Sequence, residues 1–152
     1  MALPIDMSTV SAADKYPEGR FRVRVLSAEV RPKDAEINDQ CEVVGQVTEK
    51  GTQKYCGLSV GFRYIEHPSN YTVDENGKDL SMVGRTRFQF FSMHPKMIKH
   101  VKRMFVAAGI EGSDEQELVG QEIDIVSEDQ VDNREPDGPK ESKVTRTMVA
   151  MG

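Results

Sequence analysis

Apolar and polar residues alternate strictly over several short stretches of this chain, and a period of two is the mark of a strand buried on one face only. From Glu18-Gly19 onward, Phe21, Val23 and Val25 share one side while Arg20, Arg22 and Arg24 share the other. This predicts a strand that runs to about Val30 and ends before Pro32. A second strand is expected from Lys54 to Glu66, with Cys56, Leu58, Val60, Phe62 and Tyr64 on the core side. Its other side carries Tyr55, Gly57, Ser59, Gly61 and Arg63, and the two glycines there imply strong bending or the close approach of another backbone. A third strand is expected from Gly84 to Ser92, with Thr86, Phe88 and Phe90 inward and Arg85, Arg87, Gln89 and Phe91 outward.

After Pro95 the period changes. Met97, Ile98, Val101, Met104, Phe105 and Ala108 recur at helical spacing, Lys96, Lys99, His100, Lys102 and Arg103 occupy the opposite face, and Gly109 is a natural stop. Ser113 and Gln116 have the spacing of a capping box. A fourth strand is expected over Gln121 to Ser127, burying Ile123 and Ile125 or alternatively Val126, and a fifth over Lys143 to Met151. Between the first two strands, residues 33–53 are polar and turn-rich, with Val43, Val44 and Val47 able to form a short strand; Asp74 to Gly77 marks a further turn. Three strands, a helix and two strands are the element order of an OB-fold. The expectation is therefore a mainly β protein, a five-stranded OB-fold barrel with one helix between the third and fourth strands and long loops. Residues 1–17 form an irregular N-terminal arm, and residues 18–152 form the domain.

At 152 residues, with 38% hydrophobic and 30% charged residues, the chain has the makeup of one globular domain rather than a disordered or membrane-embedded one. No apolar run approaches the roughly 18 residues a membrane helix needs, and the N-terminus lacks a basic flank and apolar core, so a cytoplasmic location is expected. Cys41 and Cys56 stand in no metal or redox spacing. The net charge of −5 conceals segregation: Arg85 to Arg103 contains six basic residues and no acidic one, Arg20 to Lys33 is a second basic stretch, and Glu111 to Glu141 is strongly acidic. Gly57-Leu-Ser59-Val-Gly61 matches a nucleophile-elbow pattern, but the alternation runs straight through Ser59 and leaves no turn for it. His67, His94 and His100 share no ligand spacing. No enzyme, no cofactor and no metal are expected.

Several phrases resemble the short OB-fold single-stranded-DNA-binding proteins of tailed phages. They are Pro17-Glu-Gly-Arg-Phe21-Arg-Val-Arg-Val-Leu-Ser-Ala-Glu-Val30, Leu58-Ser-Val-Gly-Phe62, Gly84-Arg-Thr-Arg-Phe88, Met104-Phe-Val-Ala-Ala-Gly109-Ile and Glu117-Leu-Val-Gly120-Gln-Glu-Ile123. The resemblance spans Pro17 to the C-terminus and implies binding of single-stranded DNA in phage replication, recombination or repair, with phage or host replication proteins as partners and no membrane. Many of those proteins end in an acidic tail, whereas residues 149–152 are not acidic; the tail is absent, truncated, or replaced by the stretch Glu128 to Glu141.

Single strands are held by a basic groove with aromatic rings on which bases stack. With Phe21, Leu58, Phe62, Phe88 and Phe90 in the barrel, the outward set is Arg22, Arg24, Tyr55, Arg63, Arg85, Arg87, Gln89 and Phe91, from the strands where OB-folds carry oligonucleotides. Outward arginines also serve as solvated positions or partners of acids, the helix can cover Phe91, and Tyr71 is a further loop candidate. A slip of one residue exchanges the two faces of a strand. The alternative function is a protein-interaction domain in a replication or virion assembly, with oligosaccharide or small-ligand binding a distant third.

Overall fold

The alternating segments form five antiparallel strands in one sheet among the residues that a computed structural model describes, namely 16–45, 54–67, 82–131, 137–138 and 140–150 with residues 2 and 4. The strands are β1 (Gly19–Arg31), β2 (Gly57–Tyr64), β3 (Thr86–Ser92), β4 (Glu122–Val131) and β5 (Lys140–Val149), in the order β3-β2-β1-β4-β5. One helix, α1 (Ile98–Ala107), lies between β3 and β4, and a short 3₁₀ turn spans Glu115–Leu118. The mainly β class and the position of the helix agree with the expectation. Val47, Tyr71 and the Asp74–Gly77 turn lie outside the described residues.

β1 is the central strand, pairing with β4 from Gly19↔Ser127 to Arg24↔Glu122 and with β2 from Val23↔Tyr64 to Arg31↔Gly57, with a bulge at Leu26 in the second ladder. Unbroken alternation would turn Ser27 and Glu29 inward. The extra residue resets the count, so that Ala28 is buried while Glu29 is exposed. Phe21, Val23, Val25, Val60, Phe62, Tyr64, Ile123 and Ile125 fill the interior, closed below by Met104 and Phe105 of α1 and by Leu118.

The helix begins at Ile98, after a tight turn in which the His94 side chain accepts from the Lys96 N–H at 3.0 Å. Met97 and Ile98, expected on the buried face, stay largely exposed, because that turn precedes the packed stretch of Val101, Met104, Phe105 and Ala107. Gly109 ends the helix at φ +75°, and the Ile110 N–H reaches back to the Phe105 carbonyl at 2.9 Å. The expected Ser113 cap is replaced by Asp114, whose carboxylate accepts from the Gln116 N–H at 2.9 Å, while the Gln116 amide donates to the Ala28 carbonyl at 2.8 Å.

β3 faces the opposite way from the expectation. Phe88 and Phe90 are 67% and 47% exposed, whereas Arg87 and Phe91 are buried and Gln89 is half-buried. Inside, Phe91 meets Phe62 edge-on with ring centroids 6.4 Å apart. No ladder joins β3 to β5 among the described residues; side chains of β3 cross that seam instead. The Arg87 guanidinium donates to Ser127 Oγ at 3.1 Å, to Ser142 Oγ and the Ser142 carbonyl at 3.3 Å each, and to the Tyr64 hydroxyl at 3.4 Å. Gln89 Oε1 accepts from the Val144 N–H at 3.4 Å. Tyr16, just ahead of β1, lays its ring over the Arg87 guanidinium at 4.2 Å and donates to the Thr86 carbonyl at 3.0 Å.

A buried carboxylate fixes the junction of β1 and β4. Asp124, 2% exposed, accepts from Arg22 Nε at 2.5 Å and from Arg20 Nε at 2.8 Å. Removing one member of such a group leaves a buried charge uncompensated. Asp124→Ala is expected to cost about 3–5 kcal/mol, and Asp124→Asn less because its amide oxygen keeps an acceptor for one of the two arginines. Urea denaturation of the three proteins side by side checks the order.

Candidate functional site

The outer face of β1, β2 and β3 is a grid set by register. Its rows read Arg24–Arg63–Thr86, Ser27–Gly61–Phe88, Glu29–Ser59–Phe90 and Arg31–Gly57–Ser92. Phe88 and Phe90 therefore stand on a strip of β2 that has almost no side chains. A Cβ at Gly57 would fall inside the Phe90 ring, and one at Gly61 would lie 2.7 Å from both the Phe88 ring and Ser27 Oγ. Only glycine at these two positions lets the rings lie down on the sheet. Their far faces remain open to water.

Positive charge gathers at the upper end of this grid. Arg63 is exposed and makes no ion pair among the described residues. Arg24 is exposed and bonds Glu122 of β4 at 3.0 Å. Arg85 is exposed, and its Nη1 donates to Met82 Sδ at 3.5 Å. At the lower end, Tyr55 stands edge-on to His94 with centroids 4.8 Å apart, and Lys54 Nζ lies 5.4 Å from the Tyr55 ring centre. The β1 margin is neutralised, since Glu29 pairs with Arg31 at 2.5 Å. The strip of basic and aromatic groups thus follows β2 and β3.

Of the residues expected outward, Arg24, Arg63 and Tyr55 border this strip, while Arg85, exposed just ahead of β3, is on the side of Arg87 by alternation and reaches the buried Met82. Arg22 is on the outer side of β1 but is buried against Asp124 and unavailable to a ligand. Arg87, Gln89 and Phe91 are corrected to the interior: Phe91 has an aromatic neighbour there, and the two polar side chains have acceptors and a donor across the seam. The exposed rings missed by sequence reasoning are Phe88 and Phe90, placed in the core because two phenylalanines outweigh one on hydrophobicity. Gly57 and Gly61 on the facing strand were the available sign that the outside had room for them.

The basic face of α1 is separate from this strip. Burial, with Lys99 and Arg103 close by, holds the His100 pKa below its ordinary value, so the charge of that face rests on its lysines and Arg103. Between β3 and β5, a cavity of about 370 Å³ lined by Phe90, Met97, His100, Lys143 and Val144 continues the strip past its β3 edge.

Gly57→Ala is expected to destabilise the fold by about 1–3 kcal/mol through overpacking. In the Gly57→Ala/Phe90→Ala double variant the collision is gone and most of that loss should return. A double-mutant cycle by urea denaturation reads the coupling, and purely additive losses would contradict the ring-on-glycine packing.

Neither a protein-family model nor a curated protein matches the chain. The functional reading therefore rests on the side chains of this face.

Proposed function

We propose that the chain binds single-stranded DNA in a sequence-tolerant way on the outer face of β2 and β3, as a non-catalytic protein that protects or organises strands in phage DNA replication, recombination or repair. The observation that carries this reading is the pair Phe88 and Phe90, two large rings left open on a sheet surface whose next row carries Arg24 and Arg63. Two phenylalanines in register over glycines form a flat apolar floor with a basic margin. Bases offer π-faces to such a floor whatever their identity, and phosphates are drawn to the arginines. Residues two apart on a strand are separated by about 6.8 Å, about twice the 3.4 Å rise per base of a duplex strand. Adjacent bases splayed along an extended strand can each take one ring, whereas stacked duplex bases cannot. Replication proteins of the phage or its host are the partners in this reading, and the host cytoplasm is its setting.

The test is a fluorescence-anisotropy titration of a labelled oligo-dT of about thirty nucleotides, with the matching duplex as control, at low and high salt. Single-strand binding should be the tighter and should weaken with salt, with a log–log slope of about −0.7 for each phosphate neutralised. Phe88→Ala and Phe90→Ala should each cost about 1–3 kcal/mol of binding, or about 5- to 150-fold in Kd. Absence of single-strand binding by the wild-type chain at low salt would overturn the reading and turn attention to a protein partner for the same rings.

A further inference from the structure

Cys41 and Cys56 are far apart in the chain, but the fold makes them cross-strand neighbours. Glu42 and Tyr55 form an antiparallel bridge, flanked by Val43 N–H donating to the Lys54 carbonyl at 2.9 Å and Cys56 N–H donating to the Cys41 carbonyl at 2.8 Å. Cys41 and Cys56 are therefore joined across the bridge by one backbone hydrogen bond, and their thiols lie within hydrogen-bonding reach of each other, close enough for a disulfide to link them. Both are free thiols, and both line one apolar groove of about 460 Å³ between α1 and the ends of β1 and β2, with Ile37, Leu58, Met93 and Phe105. Cys41 is half-exposed at a corner with φ +62°, where its N–H donates to the Asn38 carbonyl at 3.0 Å; Cys56 is buried, and its carbonyl accepts from the Met93 N–H at 2.9 Å.

We propose that Cys41 and Cys56 form a redox-responsive thiol pair, which a peroxide converts to an intramolecular disulfide tying the Cys41 corner to the residue ahead of β2. The half-exposed Cys41 is the attacking group. Its thiolate sulfur takes an oxygen from hydrogen peroxide, the O–O bond breaks, and Cys41 becomes a sulfenic acid as one water leaves. The Cys56 sulfur then attacks the Cys41 sulfur; the S–S bond forms, the S–O bond breaks, and the departing hydroxide takes the Cys56 proton as a second water. Two thiols lose two electrons and two protons, and one peroxide becomes two waters. Burial first, and then the neighbouring Cys41, push the Cys56 thiol up to about 11, so Cys56 stays protonated at neutral pH and reacts with the electrophile beside it rather than with oxidant from solution. This device does not depend on the single-strand reading.

The test treats the full reduced chain with hydrogen peroxide. Free thiols should fall from two to none per chain, the mass should drop by about two units with loss of two hydrogens, and peptide mapping without reductant should give one cross-linked pair containing Cys41 and Cys56. The chain should not become covalently dimeric. Its melting temperature should rise by several degrees, returning on treatment with dithiothreitol, because closing the loop restricts the unfolded chain. In Cys56→Ser, Cys41 should be trapped by dimedone as the sulfenic acid and then over-oxidise; in Cys41→Ser, Cys56 should resist peroxide. Disulfide-linked dimers through Cys41, or wild-type protein with Cys41 over-oxidised while Cys56 remains a free thiol, would overturn the proposal.

Discussion

Two aromatic rings resting where a neighbouring strand has no side chains decide how β3 sits. Once Phe88 and Phe90 occupy the space over Gly61 and Gly57, the two-residue period of the strand sends Arg87, Gln89 and Phe91 inside. Phe91 then meets Phe62 in the core, and Arg87 and Gln89 reach the far wall and hold Ser142 and Val144 of β5. The seam, the placement of Tyr16 and the aromatic outer strip all depend on that one packing choice. The same glycines that let the rings lie on the outside select what closes the inside.

The elements themselves were legible because burial on one face leaves a period in the sequence. Phe21, Val23 and Val25 marked β1, the spacing of Val101, Met104 and Phe105 marked α1, and Gly109 marked its end. Alternation tells which residues share a face, however, and not which face turns inward. In β3 both faces carry phenylalanine, so the hydrophobic count favoured Phe88 and Phe90 for the core. The deciding contact is with Gly57 and Gly61, and it depends on a register between strands that no local pattern carries. The bulge at Leu26 was equally silent, since Leu-Ser-Ala continues a plausible strand whether or not a residue is extra. Arg22 and Asp124, and likewise Cys41 and Cys56, meet through long-range pairing, and their relation appears only once the ladders are known.

Charge shows the same gap between chain and fold. Along the sequence, the basic stretch near β1 and the acidic stretch near β4 look like two opposed surfaces. The β1–β4 ladder brings them together: Arg20 and Arg22 meet Asp124, and Arg24 meets Glu122. Most of the β1 charge is thereby spent within the sheet, and Arg31 is matched by Glu29 on its own strand. Arg63, from β2, has no such counterpart among the described residues. The basic character of the outer face consequently shifts from the strand with the most arginines toward β2 and β3, where the exposed rings are.

The sheet leaves its two outermost strands facing each other across a gap bridged by side chains. Strands at the margin of a sheet are templates on which other chains polymerise, and proteins guard them with charges turned toward the interior. Arg87 occupies such a position on β3, and the backbone partner it holds, the Ser142 carbonyl, belongs to the opposite margin. A foreign strand adding to either margin would have to part these contacts and strand a guanidinium away from water. The arginine that bridges this gap thus stands where an inward-turned charge disfavours the addition of a further strand.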